Sequence, residues 1–431
     1  MLRLAELSDE ENDRPPADQA EQELRVEQYK RLTIQCLLAG EYTDKPTIPT
    51  IQTLILYIEA EWLTSQDAKL ESSLVLSVTI RLAMGMGLHR DSSLHAGITP
   101  FQGEIRRRLW TQVHQMDILQ STWTSLPKTI QDCDCDSALP RNIFDGEFDQ
   151  DTAELPPSRP MTEPTEVSYM VAKFRLMFEI GRIVELTQSR RELDPGAISK
   201  HAQGLEDARV AIPHHLQIQS VGEINMEPPS LIQQRIGIDR GYQVGKCLLY
   251  RKFLHLARHN PNFMPYRDSC IDAAMILLNH QASMLLDFTN SYPNNVRRSH
   301  LVTVTTYDFF VAGMVFALDL HYGLASYPII PGSNCNSSWG PDRRPQMISA
   351  LEIAIEFWRI AKEGSVEAAK AHRIFSFALV KVKQALLMTG EHAEINLTGD
   401  SARNEEVEIV LSGDQLSADG SALVPEFDWV S

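Results

Sequence analysis

Four clusters in the sequence carry residue types that could perform chemistry. The tripeptide His89-Arg90-Asp91 matches the start of a protein-kinase catalytic loop. A kinase needs an asparagine five residues after that aspartate to hold magnesium, and this chain has Ala96 there. There is also no Gly-rich loop leading into a V-A-I-K strand. We therefore reject a kinase site and expect His89, just past a helix C-terminus, to cap that helix or to pack.

Cysteine and histidine pairs raise the possibility of a metal site. Cys133 and Cys135 lie in an acidic loop, where neighbouring carboxylates raise thiol pKa values. Such a pair binds a soft metal only with further ligands, and the sequence shows none nearby. His214 and His215 would point to two sides of any helix or strand. No HExxH pair, nucleophile elbow, Walker loop or Rossmann fingerprint occurs, so we expect no metal, no cofactor and no enzyme.

The run Arg106-Arg107-Arg108 is the strongest candidate for phosphate binding. On a helix, three successive residues spread over roughly 200°, so at most two can face one ligand. Arg108 is placed to face Glu104 one turn earlier, and another arginine can reach Asp117 or the acidic loop. We therefore expect structural ion pairs here.

The charge balance also argues against direct contact with nucleic acid. The formal net charge is -17 and the sequence pI is about 5.2, so the mean field repels phosphates. The predicted helix at 233–253 is more basic, with Arg235, Arg240, Lys246, Arg251 and Lys252. We expect these to form an exposed charged face opposite a buried one.

The chain must bury enough apolar surface to position these residues, and its composition allows this. Of its 431 residues, 43% are hydrophobic. The six cysteines are scattered, apart from one C-x-C, which suits a reducing compartment. The first residues lack the apolar region of a secretory signal. The most apolar window, 301–320, contains Asp308 and Asp319 and predicts a buried helix rather than a membrane span.

The hydrophobic periodicity predicts an all-α chain with no convincing strand. The fourth helix has the clearest start, because Thr99, Pro100 and Gln102 form a capping box with proline at the first helical position. Asp67 is expected to cap the third helix. The predicted helices span residues 21–38, 50–63, about 68–86, 100–123, 167–190, 202–212, 231–258, 267–288, 301–322, 347–362 and 366–389.

Two polar segments interrupt the helices, at residues 127–165 and 324–345. We therefore predict a multi-helix regulatory domain, an irregular helical bundle or array with long acidic loops. The predicted boundaries are a disordered acidic N-terminus at 1–20, the helical domain at 21–390 and a disordered acidic tail at 391–431. Phe427 and Trp429 stand among acids in that tail, as in many activation segments.

The segment from Ala83 to Pro140 resembles the middle homology region of fungal zinc binuclear-cluster transcription factors. It reads AMGMGLHRD, then TPFQGEIRRRLWTQVHQMD, then SLPKTIQDCDCDSALP. The motif residues are Gly87, Leu88, His89, Arg90, Asp91, Glu104, Arg106, Arg107, Arg108, Trp110, Asp117, Leu139 and Pro140. The resemblance implies that they have structural roles in an all-helical regulatory domain.

Two departures from the family pattern stand in this sequence. No C-x-x-C pair occurs, whereas the family's zinc module needs six close cysteines. Ser125-Leu126-Pro127 also stands where the family often has a glycine before the proline.

The resemblance implies a transcriptional regulator in the nucleus that controls a metabolic or secondary-metabolite gene set. The expected partners are protein partners, including a homo- or heterodimer and the transcription machinery. DNA would be reached only indirectly or through a missing N-terminal module. A small-molecule effector remains open, and no membrane contact is expected. The alternatives are a helical adaptor or scaffold protein and an enzyme on an α-helical scaffold.

Overall fold

A computed structural model describes residues 16–64, 67, 70–189, 194–219, 227–290, 295–324, 343–362 and 365–389. These residues form α-helices, short 3₁₀ turns and no strand, which confirms the predicted all-α class. The helices are α1 (Pro16–Ala39), α2 (Ile48–Thr64), α3 (Leu70–Gly85), α4 (Pro100–Thr124), α5 (Ser168–Gln188), α6 (Pro195–Val210), α7 (Pro229–Tyr250), α8 (Phe253–Leu256), α9 (Met264–Asn290), α10 (Asn295–Leu324), α11 (Arg343–Ala361) and α12 (Val366–Thr389).

The start of α4 lies at the capping residues that the sequence contains. The Thr99 hydroxyl accepts the Gln102 N–H, and the Gln102 side chain accepts the Thr99 N–H, both at 3.2 Å. This confirms the predicted capping box of α4. The largest differences from the predicted starts are at three helices: α1 begins at Pro16 instead of Glu21, α6 begins at Pro195 instead of Ala202, and α10 begins at Asn295 instead of Leu301. In α1 and α6 a proline occupies the first helical position, and Asp194 caps α6.

Asp67 has a role that the sequence did not predict. The helix predicted after it begins at Leu70. The Asp67 carboxylate accepts hydrogen bonds from the Ser365 hydroxyl and from the N–H groups of Val366 and Glu367. It therefore caps the first turn of α12, almost 300 residues away in sequence.

Helices α2, α3 and α4 form a first hydrophobic core. Ile51, Ile58, Ile80 and Val113 are fully buried there, together with Trp110. Helix α4 contacts α2, α3 and α5, so most of its surface is covered. The motif helix is thus a central element, which explains why it carries apolar residues on several faces.

A second and larger core includes residues of α5, α7, α9, α10, α11 and α12. Trp358, Phe309, Phe316 and Phe375 are fully buried in it. The apolar window at 301–320 lies within α10, and its residues from Phe309 onward are largely buried, as predicted. None of the described helices is long and apolar enough to cross a membrane.

The segment between α4 and α5 is a long loop, as predicted, but it is packed rather than solvated. Ile130 and Ile143 are fully buried, and Asn142 is 2% exposed. The Asn142 side chain donates to the carbonyls of Pro160 and Glu163, both at 3.0 Å. The second predicted polar loop at 324–345, the acidic tail and residues 1–15 lie almost entirely outside the described residues.

Candidate functional site

The motif residues come together from three segments of the chain. Residues 86–91 form the turn that ends α3, residues 104–110 lie in the first turns of α4, and residues 132–145 belong to the packed loop. Side chains and backbone groups of these segments bond to each other, so the sequence motif is also one cluster in space. We call it the motif cluster.

Asp91 lies at the centre of the motif cluster. Its carboxylate accepts two hydrogen bonds from Arg107, at 3.0 and 2.8 Å, and one from the Ala138 N–H at 2.9 Å. The Ser93 N–H and hydroxyl also donate to it. The Arg107 hydrogen bonds hold the pKa of Asp91 well below its usual range. This carboxylate therefore joins all three segments while remaining ionised.

Glu104 makes a second junction and is fully buried. It accepts Arg108 Nε at 3.0 Å, the i,i+4 pair expected from the sequence, and the Arg141 N–H at 3.2 Å. Arg108 also contacts Asp145 at 2.5 Å and lies 5.0 Å from the centre of the Phe148 ring. The arginine that reaches the acidic loop is thus Arg108 itself, and not another member of the run as predicted.

Arg106 stabilises the end of α3. Gly87 adopts φ 74°, a conformation that favours glycine, and the Leu88 N–H donates to the Ala83 carbonyl at 3.0 Å. Arg106 Nη2 donates to the Met86 carbonyl at 2.5 Å. A helix C-terminus has unpaired carbonyls, and here the motif arginine bonds to one of them.

His89 and Trp110 pack against each other, with ring centres 5.9 Å apart. The His89 carbonyl accepts the N–H groups of Asp136 and Ser137, both at 3.1 Å. His89 therefore contributes a packed ring and a backbone acceptor. Of the remaining motif positions, Leu88 in the turn and Pro140 in the loop are buried, and Leu139 is half-buried.

None of the three arginines at 106–108 pairs with Asp117, so the predicted pair between an arginine of this run and Asp117 is wrong. Its carboxylate accepts the N–H groups of Thr129 at 3.1 Å and Ile130 at 2.8 Å. Burial raises the pKa of Asp117. Backbone N–H groups in a loop lack the carbonyl partners that a helix would provide. The buried Asp117 carboxylate accepts hydrogen bonds from two such groups.

Arg90 completes the motif and lies on the surface. It pairs with Asp136 at 2.8 Å, and its side chain is 49% exposed. Asp136 in turn accepts the Asp91 N–H at 2.8 Å. The motif charges described here are thus engaged within the chain.

Next to the motif cluster lies a buried ionic group that the sequence did not reveal. The Lys128 side chain has no exposed surface, and its ammonium is 3.0 Å from both Asp132 and Glu185. His114 Nε2 is 3.9 Å from Asp132. Burial, followed by the Lys128 charge, lowers the pKa of His114 to about 4. Lys128 and Asp132 lie four residues apart in the loop, whereas His114 belongs to α4 and Glu185 to α5, so no single local pattern predicts the whole group.

The other residues with chemical potential do not converge. Within the described residues, no three His, Cys, Asp or Glu side chains are grouped closely enough to hold a metal ion. Burial and neighbouring acids raise the pKa of Cys135 to about 11, so its thiol stays protonated. His214 and His215 form part of a 3₁₀ turn, His214–Leu216.

The prediction that the basic residues of α7 form an exposed face is wrong. Arg235 is 4% exposed and forms an ion pair with Glu227. Arg240 lies 3.3 Å from Asp308 of α10. These arginines face neighbouring elements because α7 packs against α5, α9 and α10.

Two grooves lie away from the motif cluster. One, of about 360 Å³, separates α1 from α2 and is lined by Tyr29, Cys36 and Tyr42 among others. The other, of about 380 Å³, lies between α9 and α11 and is lined by Met275, Ala350 and Ile353 among others. The motif residues line neither groove.

Comparison with known proteins shows what this chain is similar to. Residues 8–190 match the fungal specific transcription factor domain. The Zn(2)-C6 fungal-type transcription factor mpsB of Macrophomina phaseolina is 33% identical over 382 residues, which cover 88% of this chain and 50% of that protein. The Zn(2)-C6 fungal-type transcription factor pigI of Monascus ruber is 30% identical over 387 residues, with 88% and 46% covered.

A third relative, the Pyrrolocin cluster transcription factor fsdR of Fungal sp. strain NRRL 50135, is 35% identical over 268 residues. The match covers 62% of this chain and 35% of that protein. This chain spans half or less of the length of these relatives. No solved structure matches.

Proposed function

We propose that this chain, which carries the fungal-specific transcription factor domain at residues 8–190, is a transcriptional regulator that acts in the nucleus. The observation that carries the proposal is the similarity to fungal transcription factors over 88% of the chain. The charge pairing inside the motif cluster supports it, because those residues are engaged with each other and with the backbone. We propose that they hold three segments together and do not bind a ligand.

The proposed target is a metabolic or secondary-metabolite gene set. The relative fsdR, whose name assigns it to the pyrrolocin cluster, supports this assignment. DNA would be reached through a partner protein or a module outside the helical body. The net charge of -17 and the pairing of the α7 arginines within the protein both support this route.

The proposal also excludes catalysis. A buried acid that already binds two backbone N–H groups, such as Asp117, and a neutral buried imidazole, such as His114, are poor candidates for proton transfer to a substrate. A small-molecule effector is compatible with this function. A thermal-shift screen with metabolites tests for one, since a ligand that binds only the folded state raises the Tm.

Two measurements test the regulator proposal directly. Deleting the encoding gene should lower or raise the transcripts of one contiguous group of genes, measured across the transcriptome. The whole chain fused to a heterologous DNA-binding domain should change a reporter's transcription relative to that domain alone, at equal protein level. An unchanged transcriptome together with an unchanged reporter would contradict the proposal.

The route to DNA needs its own measurement. Purified chain should contain no stoichiometric zinc and should not retard promoter DNA by itself. Stoichiometric zinc together with tight, sequence-specific DNA binding would overturn the indirect route while leaving the regulator proposal in place.

A further inference from the structure

The solvent-facing side of α12 combines exposed apolar groups with cations. Phe377 is 60% exposed, Val380 51% and Leu387 68%. Lys370, Arg373 and Lys381 lie on the same side and are also exposed. We call these six residues the α12 face. The opposite side of the helix, including Ala371, Phe375 and Val382, is buried in the second core, so this helix is anchored on one side and open on the other.

The cations of the α12 face are not neutralised by acids in the part of the chain that the structure describes. Neighbouring basic residues are paired, for example Lys383 with Glu352 at 2.7 Å and Arg359 with Glu356 at 2.6 Å. Lys381 instead lies 5.5 Å from the centre of the Phe377 ring. In a chain with a net charge of -17, this is a cationic and apolar surface that suits an acidic partner with aromatic side chains.

A segment with that chemistry follows α12 in the same chain. Residues 391–431 contain ten acidic residues and one basic residue, Arg403. In the run Glu426-Phe427-Asp428-Trp429, Phe427 lies between two acids and Trp429 follows the second of them. Aromatic anchors provide most of the energy of many protein interfaces, and acids beside them would meet the lysines and arginine.

The chain length permits contact within one molecule. Helix α12 ends at Thr389, and Phe427 follows 38 residues later. An extended chain of that length spans up to roughly 125 Å, whereas the α12 face is only about 26 Å long at 1.5 Å per residue. Because loop-closure entropy grows slowly with length, the tether gives Phe427 a high effective concentration near the face.

We propose that the segment around Phe427 and Trp429 docks on the α12 face of its own chain. The aromatic rings contact Phe377, Val380 and Leu387, and the flanking carboxylates pair with Lys370, Arg373 and Lys381. Nucleic acid fits this surface less well, because only three cations oppose the field of a strongly acidic protein. The inference does not depend on what the protein regulates.

Zero-length cross-linking of the full chain tests the docking. A carbodiimide joins a lysine amine to a nearby carboxyl group, and mass spectrometry identifies the linked peptides. We expect Lys370 or Lys381 to link to Glu426 or Asp428. The yield of these links should be clearly above the yield of links from the exposed Lys45 to the same two acids. An equal mixture of chains with natural and heavy nitrogen separates links within one molecule from links between two.

Paired variants make the test specific for the apolar contact. Phe377→Ser with Leu387→Ser leaves both lysines in place and should lower the yield about tenfold, as loss of two apolar contacts predicts. Phe427→Ser with Trp429→Ser should do the same. The matched control Leu94→Ser, at a 65% exposed leucine elsewhere, should leave the yield unchanged.

Three results would overturn the proposal. Tail links spread evenly over all exposed lysines would show no docking. Links dominated by mixed-isotope pairs would assign the face to a second copy. Yields that stay constant in both serine pairs would show that only charge attracts the tail.

Discussion

The motif cluster and the centre of the second core both hold an acid that binds arginine, but they use it for different purposes. Asp91 pairs with Arg107, and its carboxylate also accepts hydrogen bonds from the N–H groups of Ser93 and Ala138. Asp319 of α10 binds Arg267 at 2.7 Å through both oxygens, and Arg258 at 3.0 Å.

The difference follows from what surrounds each acid. A loop has backbone N–H groups that no helix satisfies, so a side chain such as Asp91 can order it. Inside a helix the backbone groups are already paired, so helices are joined through side chains such as Arg267 and Asp319. The motif cluster therefore orders a loop, whereas the Asp319 cluster fixes the packing of helices. Variants can test this contrast.

The largest expected effect is at Asp319. Its carboxylate is fully buried and Arg267 is 2% exposed, so Asp319→Asn removes the buried counter-ion that Arg267 and Arg258 share. The acid that still pairs with Arg267 at 3.2 Å, Asp268, is 39% exposed. We expect a loss of about 3–5 kcal/mol in the free energy of unfolding, measured by urea titration. Asp272→Asn, at an exposed carboxylate that pairs with Arg343, should cost less than about 1 kcal/mol. Equal losses in both variants would refute the importance of burial.

A smaller loss with a local signature is expected at Asp91. Asp91→Asn weakens the Arg107 pair and the hydrogen bond from Ala138, at a cost of about 2–3 kcal/mol. Hydrogen exchange should accelerate at residues 136–138 and stay unchanged in α10. Arg90→Ala removes only a half-exposed pair and should cost less than about 1 kcal/mol. Uniform acceleration of exchange through both cores would contradict separate roles for the two clusters.

The buried His114 gives a pH-dependent effect beside the motif cluster. Its folded pKa is about 4 and its ordinary value 6.5, so the unfolded chain binds the proton first as the pH falls. Stability should therefore be full above pH 6.5 and decline towards pH 4, by up to about 3 kcal/mol. His114→Gln should remove this part of the decline in unfolding titrations. A variant with the same pH slope as the parent would show that the imidazole is not the source.

The smallest expected effect is at the start of α4. Thr99→Ala removes one side of the capping box and should cost about 1 kcal/mol, measured by thermal or urea unfolding. Thr99→Ser keeps the hydroxyl and serves as the matched control. If serine and alanine are equally destabilising, the contribution comes from the threonine methyl group and not from the cap.

Much of the local structure could be read from the sequence. Thr99, Pro100 and Gln102 act within one helical turn, so their pattern is complete in the sequence and the start of α4 was correctly predicted. The same holds for the Glu104–Arg108 pair, whose members lie one helical turn apart. The all-α class followed from hydrophobic periodicity, and the motif residues were found through their resemblance to a family.

The partners of those residues were decided by the tertiary structure. Asp67 caps a helix almost 300 residues away, Arg107 binds Asp91 across a loop, and the arginines of α7 face neighbouring elements. Periodicity reports which side of a helix is buried, but it does not say which element covers that side. Capping and i,i+4 pairs depend on backbone geometry shared by neighbours in sequence, whereas long-range ion pairs depend on packing that brings distant segments within about 3 Å.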